Sequence, residues 1–290
     1  MLGTACMCQR LGRGGLESPW LVLKGMTSKG TPKTLAVSSE SLPQLKLARI
    51  REIHQEWFDR AAETQMPYPD FLRGLLQEEL VAREENQLRR RLKDAGFPFE
   101  KTLDDFDFRL RPELNRQVFL RYLDERFITQ GRALVLVGAT GLGKTHLSVA
   151  VGLALLKRGY TVRFTTVQAL LSRVLRAPGL EGRAKVLKPY HASDVLILDE
   201  FGYLPADPDI GPILYEVIAT RYEKKATLIT SNKSLTEWGR VLHDTALAAA
   251  LVDRLLHHGE VYYLKGDSYR LRGKPKTESP EPVETAVQGG

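Results

Sequence analysis

The feature that most constrains this chain is a glycine-rich stretch, Gly138-Ala139-Thr140-Gly141-Leu142-Gly143-Lys144-Thr145, which fits the pattern G-x-x-x-x-G-K-[ST]. It follows an apolar run directly and opens a helical run that begins at His146. In this strand–loop–helix context, backbone N–H groups and the helix N-terminus surround phosphate groups. We therefore predict that residues 138–146 bind a nucleotide, with Lys144 reaching its β- and γ-phosphates and Thr145 binding Mg²⁺.

Short apolar runs alternate with helical stretches from residue 133 onward. The runs comprise residues 133–138, 161–166, 195–199, 227–232 and 261–265. Near-continuous apolar strands separated by helices are typical of a parallel sheet that is covered on both faces. The pattern predicts an α/β fold for this part of the chain.

Polar residues end two of these predicted strands. Asp199 and Glu200 close one of them, and in phosphate-loop enzymes such an aspartate holds the Mg²⁺ shell. A neighbouring carboxylate can orient and deprotonate water, so the pair indicates nucleotide hydrolysis; the alternative is a strand-end pair that caps the next helix. Asn232 closes the following strand, where its amide would face the same crevice and hold water or a phosphate oxygen, unless it is a simple turn residue.

The rest of the chain divides by its pattern. Helical apolar spacing, interrupted at Pro67-Tyr68-Pro69, predicts a helical N-terminal domain over 42–96. We expect a disordered leader over 1–41, a connector over 97–130, a nucleotide-binding domain over 131–272 and a disordered tail over 273–290.

Composition excludes several classes of protein. No run approaches the about 20 apolar residues that span a bilayer, so we expect no membrane partner. The two cysteines, Cys6 and Cys8, cannot staple a fold or form a four-ligand zinc site, which favours a reducing cytoplasm. The net charge of +7 permits a polyanionic partner without requiring one.

Much of the surplus charge lies in one segment. Residues 157–188 contain eight Lys or Arg and one acidic residue. Such density suits contact with the phosphate backbone of duplex DNA, although a charged run is also typical of an ordinary solvated face. The candidate DNA-binding residues are Arg173, Arg176, Arg183, Lys185 and Lys188.

One arginine stands out on a predicted amphipathic helix, 247–258. Arg254 is a candidate for an arginine that reaches the phosphates bound by a neighbouring subunit. Spacing alone favours a surface arginine paired with Asp253. Arg221, Arg270 and Arg272 compete for the same role.

Several stretches together resemble the IstB-like helper ATPases of insertion sequences, which are AAA+ proteins related to the DnaC-type replicative helicase loaders. The resemblance runs from about residue 42 to 272. Besides the phosphate loop it rests on Asp199-Glu200-Phe201-Gly202-Tyr203-Leu204-Pro205, Thr230-Ser231-Asn232-Lys233, Glu237-Trp238, Ala248-Ala249-Ala250-Leu251-Val252-Asp253-Arg254-Leu255-Leu256-His257-His258 and Gly266-Asp267-Ser268-Tyr269-Arg270-Leu271-Arg272. It also includes Ala82-Arg83-Glu84 and, in the connector, Phe106-Asp107-Phe108.

The resemblance implies an AAA+ core with sheet order 5-1-4-3-2 and a helical N-terminal domain. It implies a homo-oligomer that binds ATP, Mg²⁺ and duplex DNA and recruits or activates the transposase of the same insertion sequence. Asn232 would be its first sensor and Arg254 its trans-acting arginine finger, and 167–188 would line the DNA channel. Ala139-Thr140 replaces the two prolines usual in this family, a change that should not stop nucleotide binding.

Three alternatives stay open on the sequence. A helicase loader would bind a hexameric helicase through residues 42–93. A P-loop kinase would transfer phosphate to a small acceptor and show no dependence on DNA. A non-hydrolysing adaptor would bind ATP without turnover.

Overall fold

The computed structural model describes residues 45–111, 114–202, 207, 209–266 and 268–269, and the backbone of 22–26 and 32–36. The chain forms two compact units, Met1–Asn86 and Gln87–Gly290. The predicted tail 273–290, and Arg270 and Arg272, lie outside the described residues.

The first unit contains two strands and a helical pair. Strands β1 (Val22–Met26) and β2 (Pro32–Ala36) pair antiparallel within the segment predicted as a disordered leader, which differs from that expectation; the rest of 1–41 lies outside the described residues. Helix α1 spans Ala48–Thr64, and α2 (Tyr68–Ala95) begins in this unit. The break between them, residues 65–67, ends at Pro67, whereas Tyr68 and Pro69 of the predicted break already belong to α2.

Glu79 of α2 fixes the start of α1. Its buried carboxylate accepts the backbone N–H groups of Arg49 (2.8 Å) and Ile50 (3.1 Å) and pairs with Arg83 (2.9 Å). These N–H groups have no partner inside the helix, so the carboxylate supplies one. Burial raises the pKa of Glu79, but these hydrogen bonds outweigh it and hold the pKa below its ordinary value.

The second unit is built on a five-stranded parallel sheet. Its strands are β3 (Ala133–Gly138), β4 (Val162–Thr166), β5 (Val195–Phe201), β6 (Ala226–Ser231) and β7 (Glu260–Leu264). They lie in the order β4-β5-β6-β3-β7. Counted from β3, this order is 2-3-4-1-5, which confirms the expected 5-1-4-3-2 read from the opposite edge.

Helices cover both faces of this sheet, as predicted. Alternate residues of β3 point to opposite sides: Leu134 packs in the cluster of α5, and Val135 in the cluster of α8 and α10. The helices of this unit after α2 are α3 (Arg116–Arg121), α4 (Glu125–Thr129), α5 (Lys144–Lys157), α6 (Val167–Leu175), α7 (Gly179–Ala192), α8 (Ile210–Arg221), α9 (Trp238–Val241) and α10 (Thr245–His257). Single 3₁₀ turns span Phe108–Leu110 and Leu235–Glu237.

The segment predicted as a connector, 97–130, is part of this core. Leu103, Leu114, Phe119 and Phe127 are buried in the same cluster as α5. Its two short helices begin at capping residues typical of helix starts, Asn115 for α3 and Asp124 for α4. The connector therefore closes one face of the sheet.

Arg221, at the end of α8, is almost completely buried (1% exposed). Its guanidinium donates to the carbonyl oxygens of Tyr190 (2.6 Å) and Ser193 (2.8 Å) and to Oγ1 of Thr227 (3.2 Å). These partners lie where β5 and β6 begin, so Arg221 ties the amino ends of two strands together. An arginine held in this way cannot reach another subunit, which removes it as a competitor of Arg254.

We expect Arg221→Met to lower the free energy of unfolding by about 3 kcal/mol, because hydrogen bonds from a charged donor contribute ~1.5–3 kcal/mol and buried carbonyls left unpaired add a penalty. Urea denaturation measures the change. The control is Arg126→Met on the exposed side of α4, which should alter stability by less than about 0.5 kcal/mol. Equal losses in the two variants would contradict this role.

Candidate nucleotide site

The predicted phosphate loop lies between β3 and α5. Gly141 (φ 82°) and Gly143 (φ 91°) both have left-handed backbone conformations that favour glycine. A Cβ at Gly141 would also lie 2.0 Å from Oγ of Ser268, so the loop packs against the chain that follows β7. Nζ of Lys144 donates to the carbonyl oxygens of Gly138 and Ala139, both at 2.7 Å, and so lies across the loop.

The two residues predicted to bind Mg²⁺ are brought together. Oγ1 of Thr145, in the first turn of α5, donates to Oδ1 of Asp199 at 2.9 Å. Asp199 is buried (4% exposed), and burial raises its pKa above the ordinary value. Hydrogen bonds from Thr230 and Thr145 and the charge of Lys144 oppose this shift and favour the carboxylate. A hydroxyl and a carboxylate are oxygen ligands of the kind that Mg²⁺ takes in proteins.

Glu200 follows Asp199 on an irregular part of β5. The strand extends to Phe201, two residues beyond its predicted end, and its pairing with β6 shifts register between Leu198 and Phe201. Within this bulge Glu200 has φ 60°, a conformation uncommon for a residue with a side chain. The bulge turns the Glu200 side chain out of the buried sheet, so its carboxylate is exposed to the crevice while Asp199 stays buried.

Asn232 lies just beyond β6 and faces the same crevice, as predicted. Among the described residues, its Oδ1 is buried and has no hydrogen-bond partner. It packs so closely over Gly202 that a Cβ there would lie 2.5 Å from Oδ1. A buried polar atom of this kind is costly unless a ligand or water satisfies it, which fits a sensor of bound ligand better than a turn residue.

These groups line one cavity of about 690 Å³. The sequence-predicted residues in its wall are Thr140, Gly141, Leu142, Gly143, Lys144, Thr145, His146, Asp199, Glu200 and Asn232. Gly138 and Ala139 contribute through their carbonyl contacts to Lys144.

Sequence reasoning missed another part of the wall of this cavity. It is formed by the predicted connector, with Phe99, Lys101, Asp105, Phe106, Leu110 and Arg111, and by Tyr269 after β7. The signal that could have indicated this part of the wall is the aromatic pair Phe106 and Phe108, because large apolar side chains in an otherwise polar connector are expected to pack against another surface. The connector thus adds the aromatic side chains Phe99 and Phe106 to the cavity wall, and Phe106 packs against Gly143 of the phosphate loop.

The side chain of His146, at the end of the phosphate loop, contacts the connector. Its Nε2 lies 3.0 Å from the carbonyl oxygen of Thr102, and its ring meets the edge of Phe106 at 5.3 Å between centroids. Burial lowers the pKa of His146, so its neutral form is favoured at pH 7.

Arg254 lies on α10 without the acidic partner that spacing favoured. Its guanidinium is 4.8 Å from the ring centroid of Tyr215 on α8 and donates to the carbonyl oxygen of Ala250 at 3.1 Å. Within the described part of the chain, no carboxylate is at ion-pair distance from it. It is not among the residues that line the cavity of its own chain.

The basic segment forms two helices, α6 and α7, between β4 and β5. Arg173, Arg176 and Lys185 border a shallow groove between these helices, and Lys188 is exposed nearby. Two of the predicted contacts have protein partners: Arg173 donates to the Tyr190 hydroxyl (2.8 Å) and Arg183 pairs with Asp209 (3.1 Å).

Comparison with known proteins identifies the family. Residues 40–277 match the family of IstB-like ATP binding proteins. Over 231 residues the chain is 38% identical to an insertion-sequence ATP-binding protein of Geobacillus stearothermophilus, covering 80% of this chain and 92% of that protein. It is 34% identical over 235 residues to one of Pseudomonas aeruginosa, covering 81% and 89%. The chain belongs to the IstB-like ATP-binding protein family.

The resemblance seen in the sequence is thereby confirmed, and the protein is an ATP-binding helper protein of the insertion-sequence type. Its fold is similar to that of AMPPCP-bound DnaA from Aquifex aeolicus, with a TM-score of 0.50 at 21% identity, covering 61% of this chain and 54% of that one. This likeness shows the AAA+ fold. No helix in the described ranges is both long and apolar enough to cross a bilayer.

We expect Gly141→Ala to weaken binding of a fluorescent ATP analogue tenfold or more, because a left-handed non-glycine residue costs about 1–3 kcal/mol and the new Cβ would displace Ser268. A fluorescence titration measures the affinity. The matched control is Gly179→Ala, at φ 61° with no atom within 4 Å of the new Cβ. Unchanged affinity in Gly141→Ala would contradict a phosphate-binding loop.

Proposed function

We propose that this protein is an ATP-hydrolysing, DNA-binding AAA+ oligomer that recruits or activates a partner transposase at target DNA. Two findings together support this proposal. Relatives that match four-fifths of the chain are ATP-binding proteins of insertion sequences, and the cavity holds a phosphate loop facing two acidic residues.

The residues of the cavity fit Mg²⁺ and ATP. The loop from Gly138 to Thr145 would hold the phosphates, and Thr145 and Asp199, already 2.9 Å apart, would hold Mg²⁺. Bound Mg²⁺ would neutralise charge on the phosphate oxygens. The connector wall with Phe106 would cover the base, and the unpartnered oxygen of Asn232 would hold the attacking water through its proton.

The position of Glu200 supports the proposed hydrolysis. Its carboxylate is exposed to the cavity, next to a buried aspartate. A general base must reach water, and the bulge in β5 provides that access. This arrangement favours an ATPase over a kinase, which needs room for an acceptor, and over an adaptor without a base.

The oligomer and the DNA contact rest on two further surfaces. Arg254 has no acidic partner among the described residues and lies outside its own cavity, as an arginine that serves a neighbouring subunit would. Arg176, Lys185 and Lys188 are exposed cations on α6 and α7, and they would contact phosphates of duplex DNA with little regard to sequence.

We expect Glu200→Gln to bind ATP like the wild type, to hydrolyse it 100-fold more slowly or worse, on the order of the loss of a general base, and to stay assembled on DNA. Single-turnover hydrolysis and sedimentation measure these effects, with Lys144→Ala as the variant that loses nucleotide binding. If Glu200→Gln bound DNA no better with ATP than without, the coupling would be wrong. Trapped on DNA, this variant should retain transposase; retention of a replicative helicase instead would favour the loader alternative.

We expect duplex DNA to stimulate ATP hydrolysis and the stimulation to collapse as salt rises, because phosphate contacts release counterions. The double variant Lys185→Ala with Lys188→Ala should reduce the slope of log affinity against log salt by about 2, one for each lost phosphate contact. Lys224→Ala, an exposed lysine outside the segment, is the control. If DNA does not change the rate of ATP hydrolysis, the basic segment 157–188 is an ordinary solvated surface and does not bind DNA.

A further inference from the structure

One buried hydroxyl contacts both acidic residues of the site. Oγ1 of Thr230 on β6 donates to Oδ1 of Asp199 and accepts the backbone N–H of Glu200 at 3.0 Å. Thr230 is 1% exposed, and its hydroxyl has one proton to give, which Asp199 receives. Its contacts therefore use the hydroxyl once as donor and once as acceptor.

The contact with Glu200 lies at the point where β5 leaves regular geometry. A left-handed residue persists in a strand only where its surroundings hold it. The N–H of Glu200 is held by Thr230, and the carbonyl oxygen of Phe201, one residue further along the strand, lies 2.5 Å from Oγ of Ser231, which donates to it. Two consecutive hydroxyls of β6 thus hold the bulge on both sides of the Glu200 side chain.

The contact with Asp199 orients a buried carboxylate. Asp199 accepts hydrogen bonds from two hydroxyls, those of Thr145 and Thr230. Thr145 belongs to the phosphate loop and is itself a candidate metal ligand, whereas Thr230 belongs to the neighbouring strand and does not line the loop. Groups behind a metal-binding carboxylate commonly fix its direction and tune its affinity.

We propose that Thr230 is the positioning residue of this site: its hydroxyl sets the direction of the Asp199 carboxylate toward Mg²⁺ and holds the backbone conformation that presents Glu200 to water. This inference rests on the proposed ATPase function. Thr230 borders the cavity, but its hydroxyl hydrogen-bonds Asp199 and the backbone of Glu200, and it acts through these two residues.

The test replaces the hydroxyl by a methyl group of similar size, Thr230→Val, in the full chain. We expect about a 10- to 100-fold fall in kcat for ATP hydrolysis and a similar rise in the Mg²⁺ concentration needed for half-maximal nucleotide binding, the range seen when such supporting groups are removed. Affinity for a fluorescent ATP analogue in EDTA should change less than threefold. Thr230→Ser restores the hydroxyl and should restore both quantities to within a few-fold of wild type.

Thr227→Val is the matched control. Thr227 lies on the same strand, is equally buried, and its hydroxyl accepts a hydrogen bond from Arg221 instead of serving the site. It should lose stability without the change in Mg²⁺ dependence. If Thr230→Val does not fold, Thr230→Ala takes its place in the same comparison with Thr230→Ser.

Wild-type turnover by Thr230→Val with unaltered Mg²⁺ dependence would overturn the inference, and so would a serine variant as impaired as the valine variant. The two proposals fail separately. If the wild type binds ATP but does not hydrolyse it, the ATPase proposal is wrong, and the Mg²⁺ titration of nucleotide binding still decides whether Thr230 positions Asp199.

Discussion

The buried parallel sheet is the constraint on which the rest of this structure depends. Because all five strands of the second unit run in one direction, their carboxyl ends share one edge. The phosphate loop follows β3 there, Asp199 and Glu200 lie near the end of β5, and Asn232 follows β6. Residues up to 94 positions apart in the sequence therefore lie at the same edge, because the parallel arrangement of the strands places them there.

The two edges of the sheet differ in whether their buried polar groups have hydrogen-bond partners. At the amino edge, Arg221 is buried with carbonyl partners that satisfy it and that tie β5 to β6. At the carboxyl edge, Oδ1 of Asn232 has no hydrogen-bond partner in the part of the chain that the structure describes, and Glu200 has a left-handed backbone conformation. The strained backbone and the unpaired polar atom thus lie at the edge where a ligand can bind, and the hydrogen bonds of Arg221 at the other edge stabilise the sheet against their free-energy cost.

The connector shows how a segment without strong periodicity can become part of both core and site. Phe119 and Phe127 bury themselves against the face covered by α5, and Phe106 packs beside His146 at the cavity. Aromatic side chains of the connector therefore cover one face of the sheet and also form part of the cavity wall beside the phosphate loop. A change in how this segment packs would alter stability and nucleotide binding together.

The sequence by itself determined the five strands of the second unit, the phosphate loop and the polar residues at the strand ends, because each depends on local backbone chemistry or on the alternation of apolar runs; it did not predict β1 and β2. The motifs also identified the family. Only the tertiary structure decided which groups support them. In the sequence, Thr230 belongs to a stretch that carries the family resemblance and Arg221 is one of several candidates for a trans-acting arginine, but nothing there indicates the partners that either side chain has in the fold. Their roles arise from hydrogen bonds to residues between 5 and 31 positions away, and no local pattern encodes the pairing of strands that brings such partners into contact.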